Sequence, residues 1–311
     1  MSFVQTLNDI EFIKDRFQEL LKRGLNLVRI SAPLFLEKDS GLNDDLNGTE
    51  EKVTFDFNGK TLEIVQSLAK WKRVALKKYN INGLYADMNA IRKDEKIDEL
   101  HSIYVDQWDW EMIAPENNPQ NFMVSAVKSI HELIYTLERD YIEHKQLPFT
   151  YNEVIPKEIF FISSEDLLKH YPSLSPKERE YEITKIHKAV CITQIGKELS
   201  DGSIHDSRAP DYDNWNINCD LLYWSDEINK PIEISSMGYR VNSKSLRKQL
   251  EKAGELCKLE NSYCRMIMNN ELPQTIGGGI GQSRLCMLIM KRKHIAEVQC
   301  SIWDKDIENA L

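Results

Sequence analysis

The chain has 311 residues, of which 41% are hydrophobic and 29% charged, so it can bury a sizeable core and is not disordered by composition. Its net charge of -9 and its pI near 5.4 exclude a broadly basic, nucleic-acid-binding surface. There is no apolar run long enough for a membrane span and no signal-peptide pattern at the start, so we expect a cytoplasmic location. Six cysteines without a C-x-x-C pair predict reduced thiols.

An amphipathic helix is predicted at the N-terminal end. Apolar residues recur at helical spacing from Leu7 to Leu21, and Lys22-Arg23-Gly24 supplies a cationic last turn with a glycine stop. The apolar residues 25–30 are then expected to form a strand that ends before Pro33.

The next segment contains a polar loop, a hairpin and a second helix. The loop, Gly41–Glu51, is rich in Asp and Asn and carries Asp44. Apolar residues alternate on both sides of Asn58-Gly59, a strong short-range signal for a β-hairpin. A helix is expected to follow from Ser67.

Two further strands, residues 84–91 and 103–111, are joined by a polar connection that begins at Arg92. One face of the second strand carries three polar side chains, Gln107, Asp109 and Glu111. Polar groups on an otherwise apolar strand are costly unless their face lines a wet or ligand-filled cleft, so a cleft is predicted here. Arg92 either serves that cleft or forms a salt bridge at the tip of a hairpin.

The middle of the chain combines packing elements with one polar loop. A long amphipathic helix is predicted at 121–145 and a buried strand at 190–195. The loop at 197–218 mixes aromatic, acidic and basic residues. This composition is typical of functional loops, and a simply solvated loop would also have it.

Asp220 and Glu233 each interrupt an apolar, strand-like run, and a short polar connection joins the two runs. They are therefore expected on neighbouring antiparallel strands, where two carboxylates repel unless a proton or cation intervenes. Mg²⁺ suits the pair, because it typically takes one or two protein carboxylates and leaves its other positions to water and phosphate. A pair of buried salt bridges would explain the same two residues.

A glycine-rich stretch, Gly277-Gly278-Gly279-Ile280-Gly281, precedes Arg284 and an apolar helix. Without Cβ atoms, the backbone is expected to admit a flat or phosphorylated ligand, with Arg284 supplying a fixed positive charge. The spacing fits neither a dinucleotide fingerprint nor a Walker loop. A bulge or a tight strand-to-helix turn is the structural alternative. An amphipathic helix at 243–268 leads to this stretch, and a last short strand is expected at 298–303.

Three segments, in this order, resemble the signatures of the class II aminoacyl-tRNA synthetase catalytic domain. They are the helix and strand around Arg23-Gly24, the strand–loop–strand unit with Arg92 and Glu95, and Gly279-Ile280-Gly281-Gln282-Ser283-Arg284. The resemblance implies an α+β fold in which helices flank a central antiparallel sheet. It also implies that residues 1–311 form a single catalytic domain and that two copies pair as a homodimer.

Four longer strings resemble more closely the ammonia-dependent asparagine synthetases of this superfamily. They are Ser67-Leu68-Ala69-Lys70-Trp71-Lys72-Arg73, Tyr104-Val105-Asp106-Gln107-Trp108-Asp109-Trp110, Arg208-Ala209-Pro210-Asp211-Tyr212-Asp213 and Pro273-Gln274-Thr275-Ile276-Gly277-Gly278-Gly279-Ile280-Gly281. The resemblance implies a ligase that converts aspartate, ATP and ammonia to asparagine, AMP and pyrophosphate through a β-aspartyl-adenylate. Mg²⁺ would be its metal, and neither a membrane nor a nucleic acid would be required.

The resemblance also implies roles for individual residues. The catalytic set would be Arg92, Arg284, Asp44 and Asp213, with Asp44 or Asp213 taking a proton from ammonium. The residues around aspartate would be Ser67, Lys72, Gln107, Asp109, Tyr212, Ser235, Ser236 and Arg240. ATP would contact Arg92, Glu95, Asp220, Glu233, Gly279, Gly281 and Arg284, with Asp220 and Glu233 as the Mg²⁺ ligands.

Two other interpretations fit parts of the sequence. A relative of aspartyl- or asparaginyl-tRNA synthetase would use the same adenylate chemistry, but the chain shows no separate anticodon-binding domain and no basic surplus. A regulator that only binds aspartate or asparagine would not need Arg92, Glu233 and Arg284 together. Glutamine is a disfavoured nitrogen donor because Ser2, and not Cys, follows Met1.

Overall fold

The computed structural model describes residues 3–46, 50–148 and 151–308. Its helices are α1 Phe3–Gly24, α2 Ala69–Tyr79, α3 Pro119–His144, α4 Ser164–His170, α5 Pro176–His187, α6 Ser243–Ala253, α7 Ser262–Met268, α8 Gln282–Ile289 and α9 Lys305–Glu308. Its strands are β1 Val28–Arg29, β2 Phe35–Glu37, β3 Thr54–Phe57, β4 Lys60–Ile64, β5 Gly83–Ile91, β6 Tyr104–Ile113, β7 Phe160–Ser163, β8 Ala189–Thr193, β9 Asp213–Ser225, β10 Lys230–Arg240 and β11 Thr275–Gly281. Within these ranges no helix has both the length and the apolar character that a membrane span needs.

A large sheet joins eight strands in the order β1-β5-β6-β11-β10-β9-β8-β7. Its inner pairings are antiparallel, and the outermost pairings, β1 with β5 and β7 with β8, are parallel. A separate antiparallel sheet has the order β2-β4-β3. The expected α+β fold with a central antiparallel sheet is therefore confirmed. The parallel pairings at the two edges of the sheet were not predicted.

One face of the large sheet packs against the main hydrophobic core, and the other carries polar side chains. Helices α1, α3 and α8 cover one face and enclose the main hydrophobic core, in which Trp108 and Trp110 are fully buried. The Phe17 ring of α1 lies 4.8 Å from that of Trp108. The opposite face carries α2 over β5, β6 and β11 and α5 over β8, β9 and β10. Polar side chains between these two helices are therefore free to form a site.

The hairpin predicted at Asn58-Gly59 is present, joining β3 to β4. Both turn residues have positive φ angles, 49° and 74°, as a two-residue hairpin turn of the I′ type requires. The local sequence signal therefore sufficed here.

Two of the expected elements are shorter than predicted. Of residues 25–30 only Val28–Arg29 pair as a strand, because Asn26 adopts a positive φ of 53° and the Leu27 amide still donates to the Lys22 carbonyl at 2.9 Å. The helix expected at 243–268 is divided into α6 and α7, since Gly254 ends α6 in a left-handed conformation.

The prediction of a strand at 298–303 was wrong. Gln299 turns inward, accepts a hydrogen bond from the Ser102 hydroxyl at 2.5 Å and donates to Asp106 at 3.3 Å, so side-chain bonds replace sheet pairing. The polar loop expected to reach residue 218 ends at 212, because Asp213 already begins β9.

Candidate active site

The face of the sheet opposite the main core carries a cleft of about 310 Å³. The structure brings every sequence-predicted site residue to its lining, and the roles of these residues remain predictions. They are Asp44, Ser67, Lys72, Arg92, Glu95, Gln107, Asp109, Tyr212, Asp213, Asp220, Glu233, Ser235, Ser236, Arg240, Gly279, Gly281 and Arg284.

Strands β6 and β11 form the floor of the cleft. Their register places Glu111 opposite Gly277, Asp109 opposite Gly279 and Gln107 opposite Gly281. Of the polar face predicted for β6, Gln107 and Asp109 line the cleft, whereas Glu111 is buried beside it in an ion pair with Arg240. Two of these glycines, Gly277 and Gly279, do not simply leave space for a ligand, as was expected from the sequence. A Cβ atom at Gly277 would overlap the Glu111 carboxylate, and one at Gly279 would overlap the Gln107 side chain. These glycines therefore make room for neighbouring side chains of the protein.

Lys72 and Asp109 form a buried ion pair at the floor. Lys72 extends from α2, donates to Asp109 Oδ1 and also donates to the Gly278 carbonyl at 2.8 Å. The second oxygen of Asp109, Oδ2, is buried and has no hydrogen-bond partner among the described residues. An unpaired buried carboxylate oxygen is costly unless a ligand donates to it, so Asp109 is suited to bind an ammonium group.

Arg240 is the centre of a second buried ion-pair cluster. Its guanidinium donates to Glu111 at 2.6 Å and to Asp213, and its side chain is only 1% exposed. These carboxylates raise the pKa of Arg240 well above its usual range against the effect of burial. Since Asp213 already has a cationic partner, its charge is committed to holding Arg240 in place.

Asp44 differs from Asp213 in this respect. Its Oδ1 accepts a bond from the Leu46 amide at 3.2 Å, while its Oδ2 is buried with no hydrogen-bond partner in the described part of the chain. Burial raises the pKa of Asp44, and Lys70 is the largest influence in the opposite direction. Tyr212 lies beside these carboxylates, with the guanidinium of Arg240 5.7 Å from its ring centre.

Asp220 and Glu233 lie on the neighbouring antiparallel strands β9 and β10, as predicted. A bulge between Glu233 and Ser235 shifts the register of β10, so that Glu233 and Ser236 both share the face of Asp220. Burial and the nearby Glu233 raise the pKa of Asp220 to about 6, although Arg208 opposes them. Such mutual repulsion fits a site that a divalent cation would relieve.

The residues present fit a Mg²⁺ ion whose ligands come partly from the protein and partly from the nucleotide. The described residues contain no group of three or more His, Cys, Asp or Glu side chains arranged to hold a metal alone. Asp220 and Glu233 supply two carboxylates, and Mg²⁺ commonly completes its shell with phosphate oxygens and water. These residues therefore fit a metal that arrives with a nucleotide.

Arg92 and Arg284 are cations that carry no carboxylate partner in the described ranges. Arg92 Nε is buried without a hydrogen-bond partner there, and a single weak bond joins its Nη2 to the Gln66 carbonyl at 3.5 Å. Arg284 donates to the carbonyls of Glu233 at 3.0 Å and Leu100 at 3.4 Å. Two guanidinium groups without counter-charges at one cleft are suited to bind phosphates.

The structure adds one cleft residue that sequence reasoning missed as a site residue. Arg208 donates to Asp220 at 2.5 Å and to the Ser236 hydroxyl, and it is 10% exposed. Arg208 begins the segment 208–213, which resembles the asparagine synthetases. Its place in that segment could have indicated a role in the site. Its partner Asp220 is one of the two carboxylates expected to bind the metal.

The large antiparallel sheet with its glycine-rich strand places the chain in a class of protein, that with the class II aminoacyl-tRNA synthetase-like fold. Solved structures agree. An asparaginyl-tRNA synthetase from Entamoeba histolytica, in complex with asparaginyl-adenylate, has a TM-score of 0.71 at 13% identity over 96% of this chain and 66% of that chain. The enzyme from Pyrococcus horikoshii gives 0.69 at 13% identity, covering 96% and 68%. The chain thus spans about two thirds of these proteins, and the likeness establishes the fold.

Within that class, the chain belongs to the aspartate–ammonia ligase family. The family model matches residues 4–311. Aspartate–ammonia ligase of Malacoplasma penetrans is 50% identical over 99% of this chain and 95% of the relative, and that of Clostridium tetani is 49% identical over 97% and 90%. The chain is therefore a ligase, and the expected family is confirmed.

Proposed function

We propose that the protein converts aspartate to asparagine in two steps within this cleft. In the first, a side-chain carboxylate oxygen of aspartate attacks the α-phosphorus of ATP, and pyrophosphate leaves with the electrons of the broken P–O bond. In the second, ammonia attacks the carbonyl carbon of the β-aspartyl-adenylate and AMP leaves. The observation that carries the proposal is one cleft in which, among the described residues, two arginines have no carboxylate partner and two buried carboxylate oxygens accept no hydrogen bond, in a member of this ligase family.

The unpaired arginines serve the first step. A carboxylate that approaches a polyphosphate meets like charge, so fixed cations must lie where negative charge gathers. Arg92 would hold the α-phosphate and Arg284 the departing pyrophosphate. Because neither is bound to a carboxylate in the described part of the chain, both are available to the nucleotide.

We assign the metal site to Asp220 and Glu233. When bound there, Mg²⁺ would neutralise phosphate charge and favour departure of pyrophosphate. Arg208, which now donates to Asp220 at 2.5 Å, must then give up that carboxylate and is free to donate to a phosphate. Glu95, Gly279 and Gly281 complete the proposed nucleotide lining.

The opposite part of the cleft would bind aspartate. Asp109 Oδ2 accepts a bond from the α-ammonium group, and Lys72 or Arg240 faces a carboxylate of the substrate. The remaining aspartate contacts are hydrogen-bonding side chains, namely Ser67, Gln107, Tyr212, Ser235 and Ser236. Ser235 is already oriented, because its hydroxyl donates to the Gly279 carbonyl at 2.9 Å.

Of the two acids expected to handle ammonium, the geometry supports Asp44. Asp213 is bound to Arg240, whereas Asp44 Oδ2 has no partner within the described residues. Asp44 would bind the ammonium ion and accept one proton, so that neutral ammonia attacks the adenylate. The second proton is lost from nitrogen as AMP leaves.

We further propose that the protein acts as one domain, as a homodimer, in the cytoplasm. The cleft is lined from Asp44 near one end of the chain to Gln299 near the other, which supports one catalytic domain over residues 1–311. Val28 is 51% exposed on the edge strand β1, a position suited to pair with a second copy. The six cysteines are free thiols, which suits a reducing compartment.

The test is product formation by the purified protein with aspartate, ATP, Mg²⁺ and ammonium. We expect asparagine and AMP in equal amounts, with no requirement for glutamine or tRNA. AMP formation only in the presence of tRNA would replace the proposal with a tRNA synthetase. Binding of aspartate without AMP formation would replace it with a regulator.

A further inference from the structure

A buried glutamine behind the cleft holds the backbone of the segment 208–213. Gln249 of α6 is 5% exposed and does not itself line the cleft. Its Nε2 donates to the Pro210 carbonyl at 3.0 Å and to the Asp213 carbonyl at 2.9 Å, and its Oε1 accepts from the Trp215 amide at 3.0 Å. One side chain therefore satisfies three backbone groups, with both of its amide donors and its acceptor.

The segment 208–213 forms one wall of the cleft. The cleft is lined by its residues Arg208, Ala209, Tyr212 and Asp213. A backbone that carries several cleft residues has to be fixed if their side chains are to keep their positions, and small displacements of such groups are costly. The hydrogen bonds from Gln249 therefore bear on the geometry of the cleft as well as on packing.

The position of Asp213 matters most, because its carboxylate holds a second cleft residue. It forms an ion pair with the guanidinium of Arg240, a side chain that is 1% exposed. Gly238 of β10 leaves room for that carboxylate, since a Cβ atom there would lie 2.5 Å from Asp213 Cγ. The carboxylate thus fills a close-fitting space, and a shift of the Asp213 backbone would move it and Arg240 together.

The two ends of the segment 208–213 have different anchors. The Arg208 carbonyl accepts a hydrogen bond from the Trp215 indole N–H at 3.0 Å, whereas the Asp213 carbonyl accepts from Gln249. Arg208 belongs to the proposed nucleotide end of the cleft, and Arg240 belongs to the proposed aspartate end. Loss of the hydrogen bonds from Gln249 should therefore disturb the aspartate end first.

We propose that Gln249 is a positioning residue for aspartate binding, because it fixes the backbone from which Asp213 holds Arg240. Gln249 touches no substrate and acts only through Asp213. This inference rests on the proposed function, in which Arg240 is among the aspartate contacts, and it deepens that function by naming the side chain that keeps Arg240 in place.

The test is the steady-state rate of AMP formation by Gln249→Met, a variant that keeps the length of the side chain and removes all three hydrogen bonds. Buried backbone groups are costly to leave unpaired, so the segment is expected to shift toward other partners. We expect KM for aspartate to rise about tenfold or more, while KM for ATP changes less than about threefold. If Gln249→Met does not fold, Gln249→Glu keeps the acceptor for the Trp215 amide, loses at least one donor and should also raise KM for aspartate more than KM for ATP.

A matched control is Glu138→Met, which also removes hydrogen bonds between a buried side chain and the backbone. Glu138 of α3 is 1% exposed, accepts from the Val154 and Ile155 amides at 2.6 and 2.8 Å, and does not line the cleft. Neither KM value should change in this variant. Equal rises of both KM values in the Gln249 variants, no rise in either, or a selective rise in Glu138→Met would overturn the inference.

Asp213→Asn separates this inference from the function beneath it. If the wild type makes no asparagine from ammonium, the proposed function has failed. If the wild type is active and Asp213→Asn leaves KM for aspartate unchanged, Gln249 has nothing to position and the inference is wrong. If Asp213→Asn raises KM for aspartate selectively and the Gln249 variants do not, only the role of Gln249 is refuted.

Discussion

At the scale of single residues, the cleft separates cations that are committed from cations that are free. Arg208 and Arg240 each hold a carboxylate, whereas Arg92 and Arg284 hold only carbonyl groups among the described residues. This distinction decides which arginines a nucleotide can engage at once. Composition alone does not reveal it, because all four are equally charged in the sequence.

Arg92→Ala should therefore abolish most activity. Removing a fixed cation that stabilises developing charge typically costs about 100- to 1000-fold in rate. The readout is AMP formation at saturating aspartate and ATP. Arg247→Ala, an exposed arginine of α6, is the matched control and should retain wild-type activity. A small effect at Arg92 would remove it from the phosphate site.

The adjacent acids Asp44 and Asp45 should respond to pH with opposite signs. Burial raises the pKa of Asp44 above its unfolded value, so its contribution to stability is lost as pH rises through that range. Burial also acts to raise the pKa of Asp45, but ion pairs with Lys52 and Lys258 outweigh it and lower that pKa. The contribution of Asp45 is therefore present above its unfolded pKa and lost as the solution becomes more acidic.

Urea unfolding at pH 7.5 and at pH 4 tests this difference. Asp44→Asn should raise the free energy of unfolding at pH 7.5 by roughly 1 kcal/mol, because it removes a buried charge with an unsatisfied oxygen. Asp45→Asn should lower it by less than about 1 kcal/mol, since Asp45 is one third exposed. At pH 4 the gain from Asp44→Asn should shrink, because the raised pKa lets Asp44 take up a proton, whereas the loss from Asp45→Asn should persist, because pH 4 still lies above the unfolded pKa of Asp45. Effects of the same sign would contradict the assignment.

At the scale of elements, the glycine-rich strand β11 fixes the floor of the cleft. Gly277 and Gly279 leave space that Glu111 and Gln107 of β6 occupy, whereas a Cβ atom at Gly281 would meet Arg284 only at 3.4 Å. The glycines thus set the positions of Glu111 and Gln107 on the neighbouring strand. The bulge in β10 has a similar effect, because it turns Glu233 toward Asp220.

Gly279→Ala should displace the Gln107 side chain and raise KM for aspartate by about tenfold or more, since small displacements of positioning groups are costly. Gly281→Ala is the comparison on the same strand, because its added methyl group would meet Arg284 only at 3.4 Å. With ATP saturating, KM for aspartate should stay near the wild-type value in this variant even if ATP binds less tightly. Steady-state kinetics with aspartate as the varied substrate measures both. Similar KM values for the two variants would show that the space above Gly279 has no part in the site.

At the scale of the whole molecule, features that depend on local sequence were predicted better than features that depend on tertiary contacts. Alternation and turn chemistry predicted the hairpin at Asn58-Gly59 and the polar face of β6, because both depend on local periodicity. The bulge in β10, the break at Gly254 and the inward turn of Gln299 depend on tertiary partners, which a single sequence does not display. Residue patterns alone indicated Asp220, Glu233 and Arg284, and the resemblance added most of the other site residues, whereas Arg208 was recognised only in the packed structure.

The proposed homodimer is also a property of the whole molecule. Val28→Asp places a charge on the exposed edge strand and should convert a dimer of 36.3 kDa chains to monomers. Light scattering after size-exclusion chromatography measures the mass directly. Ile186→Asp is the control, because Ile186 of α5 is also exposed, at 62% against 51% for Val28, and lies outside the edge strand. A dimer that survives Val28→Asp would place the interface elsewhere.

In the proposed reaction, the side-chain carboxylate of aspartate becomes attached to the α-phosphate of ATP. Aspartate labelled with ¹⁸O in that carboxylate tests it most directly, by mass spectrometry of the products after reaction with ATP, Mg²⁺ and ammonium. We expect one labelled oxygen in AMP and none in pyrophosphate, because the adenylate bond retains the carboxylate oxygen when ammonia displaces AMP. Label in inorganic phosphate, with ADP as the nucleotide product, would show attack at the terminal phosphate and contradict the account.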